Sequence, residues 1–404
     1  MNNRFYMRIV ALIAACLALP LAVDGAESIA PYYARAKTGL LPVAAAEGRI
    51  LLHTRQFLAF EGNTAKLRSA DLSTQVMDLL GTLNEKLRGY EASLTYGLRL
   101  NVYLSDDSQR PIVQGHLENF FTGKTPPLSF VTGDLPHPDA LVGMDAVAQS
   151  FGAAPLYSIN KGNFLTPRSG RFGAEFGMMP IGAQVFVSGQ AVRGKDVKEA
   201  THKTMEQLGG TLDWLGLKWK DVIHIKSFLR PMDGVDDALS TIRTFFPSNA
   251  VPPLAFVEWQ NRNPIEIELV VAGGEDNPER PAVEYLTPKG MKASPVFTRV
   301  VRVNRGKIIY TSGICGTPGT DPEREVRDVF KELQKAVGAF QSDLKHLVKA
   351  TYYVKDNQIS KALNELRPEF YDPKRPPAAS KATVKGAGLK GQRIMVDMIA
   401  VSAP

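Results

Sequence analysis

The chain has 404 residues, with 48 lysines and arginines against 41 aspartates and glutamates, a hydrophobic fraction of 44% and a charged fraction of 22%. At roughly 150 residues per domain this length predicts two or three domains, and the balanced composition excludes wholesale disorder. A formal charge of +7 spread over so long a chain reads as ordinary solvated surface, so no nucleic-acid partner is expected.

Residues 1–26 read as a signal peptide: Arg4 and Arg8 precede an apolar run from Ile9 to Val23, broken by Pro20 and ending at Gly25 and Ala26. The run is short for a spanning helix, and no later stretch is long and apolar enough to cross a bilayer. The expectation is an exported chain, periplasmic or extracellular, with no transmembrane segment. A lipid anchor at Cys16, after Ile13-Ala14-Ala15, is the less favoured alternative. Once the signal is removed Cys315 stands alone, so no internal disulfide can form.

Three similar units follow, at 29–150, 158–274 and 281–404. Each opens on an alternating strand ending in a hydroxyl: Ile50 to Thr54, Val185 to Ser188, and Ile308 to Ser312, the last two turning at Gly189 and Gly313. Next comes an amphipathic helix with apolar residues at helical spacing. Its stripe is Leu72, Val76, Leu79, Leu83 and Leu87 in the first unit and Met205, Leu208, Leu212 and Leu215 in the second; the third has Val326, Phe330, Leu333, Val337 and Phe340.

A second strand runs over Leu98–Leu104, Val222–Leu229 and Leu347–Val354. A shorter helix then ends on paired aromatics, Phe120-Phe121, Phe245-Phe246 and Phe370-Tyr371, before a diproline at Pro126-Pro127, Pro252-Pro253 and Pro376-Pro377. Proline fixes an extended entry and cannot donate to a central ladder, so each pair launches a strand. The last strand carries an acid in matching places, Asp145, Glu268 and Asp397. The fold class is therefore α/β (α+β), a mixed sheet with two helices on one face, repeated three times. The other face of a lone unit would be an exposed apolar patch. Three joined units can bury those faces against one another, which predicts a monomer with internal three-fold pseudosymmetry.

This order of motifs resembles the RidA/YjgF family, some of whose members are labelled L-PSP endoribonucleases. The match is strongest over 185–274, good over 300–401 and weaker over 48–148. The resemblance implies a chorismate-mutase-like fold, a trimer (here within one chain, an intramolecular pseudotrimer) and a cleft at each interface. It also implies enamine or imine deamination, in which an arginine grips the substrate carboxylate beside a serine, an asparagine, a glutamate and a water. Thr54, Ser188 and Ser312 match the serine; Asp145, Glu268 and Asp397 match the glutamate. The arginine's place holds Leu128, Leu254 and, with a one-residue shift, Ala379. The asparagine is matched by Asn364, with Gln114 and Leu239 in the other units. Two positions on, Phe130 and Phe256 make two clefts aromatic, while Lys381 offers the third a replacement cation, a point charge and not a fork.

Each candidate has a structural alternative. Ser188 and Ser312 are either cleft groups or hydroxyls that cap a turn. The three acids serve either catalysis or hydrogen bonds between units, because an unpaired buried carboxylate is costly. Lys381 is either a ligand group or a snorkelling surface lysine, and Cys315 either a reactive thiol or a buried inert one. The six histidines show no metal-ligand spacing, and neither a phosphate-cradling glycine loop nor a Gly-x-Ser-x-Gly elbow is present. No metal and no cofactor are expected. The functional expectation is a RidA-like hydrolase of a small imine or enamine; a non-catalytic module for a small aromatic or anionic ligand is the alternative, and endoribonuclease action comes last.

Overall fold

The computed structural model describes residues 43–403 apart from 62–65, 123–124, 154–158, 161, 168, 248–249 and 389–390. The signal segment 1–26, with Cys16, lies outside the described residues. Among those described, no helix is long and apolar enough to cross a membrane.

Three times over, the chain runs strand, strand, long helix, strand, short helix, strand, strand. The first repeat comprises β1 (Val43–Ala46), β2 (Ile50–Thr54), α1 (Leu72–Arg88), β3 (Ala92–Leu104), α2 (Arg110–Phe121), β4 (Leu128–Thr132) and β5 (Val142–Ser150). The second comprises β6 (Phe176–Met179), β7 (Gln184–Gln190), α3 (Val197–Trp214), β8 (Val222–Leu229), α4 (Val235–Arg243), β9 (Leu254–Glu258) and β10 (Ile265–Ala272). The third comprises β11 (Val300–Val303), β12 (Ile308–Thr311), α5 (Pro322–Gly338), β13 (Leu347–Val354), α6 (Asn357–Phe370), β14 (Ala378–Thr383) and β15 (Ile394–Val401).

The long helices start alike. Asp71, Asp196 and Asp321 each accept a hydrogen bond from a backbone N–H in the first turn, which satisfies one of the donors a helix start leaves unpaired. Their apolar stripes are buried as the spacing predicts, except that Leu72 and Leu215 are half-buried and Phe340 lies past the end of α5. Each diproline delivers a strand that pairs in parallel with the repeat's long central strand: β4 with β3, β9 with β8, β14 with β13.

The sheets do not follow the unit boundaries read from sequence. Their orders are β4-β3-β5-β2-β6, β9-β8-β10-β7-β11 and β14-β13-β15-β12-β1. In every repeat the opening hairpin is therefore divided: its second strand stays at home, while its first is lent to a neighbour's sheet. The pairs β2/β6, β7/β11 and β12/β1 are all antiparallel, with Leu51 opposite Met179, Gln184 opposite Val303 and Ile308 opposite Ala46. The helices and one face of each sheet enclose separate apolar cores. A further core draws on all three repeats, with Leu51, Leu98 and Val147 packed among Phe186, Ile223, Tyr310, Val348 and Ile399. At about 25 cal/mol per Å2 of apolar surface withdrawn from water, this shared core is a principal force joining the repeats.

Candidate active site

The strand pairings fix which positions correspond. Asp145, Glu268 and Asp397 face Asn101, Lys226 and Thr351 across the central strands, so the three acids are equivalent. The hydroxyl match needs correction in the first repeat. Thr54 lies opposite Phe176 as Val187 lies opposite Val300 and Thr311 opposite Val43, so Arg55 and not Thr54 stands where Ser188 and Ser312 do. Thr54 Oγ1 instead accepts from Ala146 N at 2.8 Å, as Thr311 Oγ1 accepts from Met398 N at 3.1 Å. Both hydroxyls tie their strand to the residue after the acid.

Ser188 and Ser312 act across the repeat boundaries. Ser188 Oγ donates to Thr298 O at 2.5 Å and accepts from Ala379 N at 2.7 Å, and Ser312 Oγ accepts from Leu128 N at 3.3 Å. Each hydroxyl thus receives the N–H at the start of the next repeat's diproline strand.

Two of the three acids form inter-repeat ion pairs in the interior, and the third is held within its own repeat. Arg99 reaches Asp397 at 2.5 Å and Lys349 reaches Glu268 at 2.6 Å, with all four side chains under 10% exposed. Asp145 accepts from Tyr103 Oη at 2.5 Å and Asn101 Nδ2 at 2.7 Å. Burial raises its carboxyl above the ordinary range, and the nearby Lys226 ammonium opposes that rise. For Glu268 burial pulls the same way but loses to Lys349 and Lys226, and its carboxyl lies below the ordinary range. Buried charges need such partners.

A different carboxylate, half-buried, lies at the boundary between the second and third repeats. Glu266 lies two residues before Glu268 on the same strand face, and a Cβ built on Gly189 would fall 2.0 Å from Glu266 Oε1 and 2.6 Å from Ser380 Oγ. The absent side chain at 189 thus leaves room in which a second-repeat carboxylate meets the third repeat's β14. Lys381 follows Ser380 on β14, on the opposite strand face, and its Nζ donates to Ser360 Oγ at 2.8 Å and Asn364 Oδ1 at 3.1 Å, one turn apart on α6. Arg367 Nη2 also donates to Asn364 Oδ1, at 3.0 Å. Burial, then repulsion from Glu268, pushes the Glu266 carboxyl up to about 7, against the Ser380 hydrogen bond and the Lys349 and Lys381 ammonium groups. Burial, then the Arg367 guanidinium, lowers Lys381 to about 8. A group that titrates near neutrality can both give and take a proton, and an ammonium beside it can hold an anion.

The other two interfaces lack this pair. Between the third and first repeats Met395 takes the place of Glu266: a Cβ on Gly313 would meet Met395 Sδ at 2.4 Å and Ser129 Oγ at 3.3 Å. Between the first and second, Gln56 replaces the glycine and Gly143 replaces Glu266. Its fully buried side chain donates to Phe256 O at 3.1 Å and accepts from Phe256 N at 3.0 Å, filling the space. The ligand-lining expectation for Leu128, Phe130, Leu254 and Phe256 is corrected: all are at most 6% exposed and packed into the apolar cores. Phe130 lies under the Arg110 guanidinium at 5.4 Å. Cys315 is half-buried and in no disulfide. Among the described residues no group of three or more His, Cys, Asp or Glu is placed to hold a metal ion. Glu266 escaped the sequence reading because the three-way comparison sought acids common to all repeats, and its counterparts are Gly143 and Met395. The signal was a second acid at spacing two in an otherwise apolar strand.

The family model described as endoribonuclease L-PSP matches residues 176–272 and 288–402, more than half of the chain. Among solved structures, a Rid-family protein of Yersinia pestis is 23% identical, with a TM-score of 0.27, covering 30% of this chain and 98% of that one. A YjgF-family protein of Neisseria meningitidis is 18% identical, with a TM-score of 0.23, covering 30% of this chain and 96% of its own. A YjgF/YER057c/UK114-family protein of Mycobacterium tuberculosis is 20% identical, with a TM-score of 0.22, covering 24% and 85%. No curated protein matches. With the strand order repeated in three sheets and the family model spanning the second and third repeats, the chain belongs to the endoribonuclease L-PSP family, also called RidA/YjgF.

Proposed function

We propose that the chain is an exported RidA-type hydrolase, an intramolecular pseudotrimer whose working cleft lies between the second and third repeats, and that it acts on a small imine or enamine bearing an anionic group. The observation that supports this is that the Glu266 carboxyl is pushed up to about 7 at the boundary with the third repeat, near enough to the Lys381 ammonium for each to act on the other's titration. Glu266 as carboxylate takes a proton from water as the oxygen adds to the C=N carbon. It then returns that proton to the nitrogen, giving a carbinolamine; the same carboxylate next takes the carbinolamine's hydroxyl proton and passes it to the nitrogen, so that the C–N bond breaks, ammonia leaves and the carbonyl forms. Lys381, steadied by Ser360 and Asn364, holds the anionic end.

Because a point charge replaces the guanidinium fork, turnover of 2-iminopropionate is expected to run about one to two decades below that of members that keep the arginine. The test is ammonia release from 2-iminopropionate generated in situ. Glu266→Gln should lower kcat by about a hundredfold or more and remove the pH limb near 7, while Lys381→Met should act mainly on KM. Full activity in Glu266→Gln rejects the proposal. The absence of an arginine at Leu128, Leu254 and Ala379 favours a second reading, a non-catalytic module. Saturable binding of a small carboxylate that is lost in Lys381→Met, without any turnover, would establish it. RNA cleavage is the reading with least support, since Glu266 is half-buried.

A further inference from the structure

A separate cavity of about 240 Å3 opens in the first repeat, between α1 and the segments Phe57–Phe60 and Gly170–Phe172. Neither Glu266 nor Lys381 lines it. One wall is apolar, formed by Phe57, Leu58, Phe60, Leu79 and Phe172. Into it points Arg55, the residue that replaces the serine of the other repeats. Its guanidinium stacks over the Phe57 ring at 4.8 Å, and its side chain is 13% exposed.

Arg55 is incompletely paired. Its Nη2 lies 4.0 Å from Glu175 Oε1, but that oxygen is already taken by Lys86 Nζ at 2.5 Å. Its Nη1 reaches Gly173 O at 3.5 Å, the outer limit of a hydrogen bond. Burial lowers the guanidinium's basicity, against the opposing effect of Glu175. The surroundings are shaped to admit this side chain: a Cβ on Gly170 would fall 1.7 Å from Arg55 Nη1. The lining sets four cations, Arg55, Arg68, Lys86 and Arg171, against three carboxylates, Asp78, Glu85 and Glu175; with one cation in excess, a fork with spare donors and an apolar wall, it is completed by a ligand that brings both a carboxylate and a hydrophobic body.

We propose that this cavity binds a small organic carboxylate with an apolar, ring-sized body, its carboxylate on Arg55 and its ring against Phe57, Phe60 and Phe172. Lys86, on α1, also lines the cavity, with its ammonium paired to Glu175 at 2.5 Å. The two sites differ in kind: Glu266 and Lys381 are pushed toward neutrality, whereas the cation proposed to hold the ligand here is a guanidinium, a permanent charge.

The test is calorimetric titration of the full chain with benzoate, with circular dichroism melts to establish that each variant folds. Saturable binding is expected. Arg55→Gln should weaken it by about tenfold or more, the loss of one charge-assisted contact. Thr82→Trp leaves Arg55 intact but fills the cavity that Thr82 lines, and should abolish binding. Lys381→Met should leave it unchanged. Failure of the native protein to bind benzoate, an affinity unaltered in both Arg55→Gln and Thr82→Trp, or loss of binding in Lys381→Met would each overturn the assignment. None of these results bears on imine turnover at Glu266, so the two proposals stand or fall separately.

Discussion

His53 and His224 face each other where the first and second repeats meet, ring centroids 6.0 Å apart, each under 10% exposed. Burial lowers His53 to about 3, assisted by the neighbouring His224 and Arg99; burial and then Lys226 do the same for His224. Both imidazoles are therefore neutral in the folded state at pH values where the unfolded chain, titrating near 6.5, already binds protons. The folded pKa lies below the unfolded one, so the stability is fully present above about 6.5 and is lost as the pH falls from there toward 3. The loss is at most about 1.4 kcal/mol per pH unit for each histidine. Urea midpoints measured from pH 7 to pH 4 at constant salt should fall, and the fall should flatten in a His53→Gln/His224→Gln double variant. An equally steep fall in that variant would remove the histidines as the cause. At this scale the sequence was legible where a residue's role repeats, as with Ser188 and Ser312. It was illegible where one repeat differs, as with Glu266, or where partners come from distant parts of the chain, as with these two rings.

At the scale of elements, helical periodicity, alternation and the diprolines announce the helices α1–α6 and the strands that each repeat keeps in its own sheet, because those signals are local; the lent strands β1, β6 and β11 are not announced. Sheet membership is not local. Nothing in Val43–Ala46 distinguishes a strand that pairs with its own hairpin partner from one that pairs with Ile308–Thr311, which is where it lies. The same limit explains the Thr54 slip: aligning hydroxyl with hydroxyl moved the first repeat by one residue, and pairing register alone reveals Arg55 as the counterpart of Ser188. Lending a strand also demands close approach. A Cβ on Gly177, in the lent strand β6, would fall 2.0 Å from Ile223 O, whereas one on Gly115, in α2, would meet nothing within 4 Å. Gly177→Ala is expected to cost about 1–3 kcal/mol through backbone displacement, while Gly115→Ala should be neutral or stabilising by about 0.5–1 kcal/mol. Denaturant midpoints of the two variants decide it: a Gly177→Ala protein no less stable than Gly115→Ala would show that β6 sits loosely on the second repeat.

At the scale of the molecule, the contacts between repeats run in one cyclic sense. The first repeat lends β1 to the third sheet, the second lends β6 to the first, and the third lends β11 to the second. Inter-repeat charges follow the same cycle, with Arg99 on Asp397, Lys349 on Glu268 and the Lys226 ammonium opposing the effect of burial on Asp145. Removing one member of such a buried pair costs more than the pair itself contributes, since the remaining charge stays desolvated. Each repeat thus supplies a strand and a charge partner that another lacks, and the apolar faces that would otherwise seek a second molecule are met within the chain. Two consequences are expected together: light scattering should give the mass of one chain, and chemical unfolding should be one cooperative transition with coincident fluorescence and circular dichroism curves. Lys349→Met, which strands Glu268 between the second and third repeats, should lower the midpoint of that single transition without splitting it. A mass near three chains, or a Lys349→Met protein that unfolds in separate steps, would mean that the repeats find their partners in other molecules or fold independently, and the cyclic exchange of strands would not be what holds the protein together.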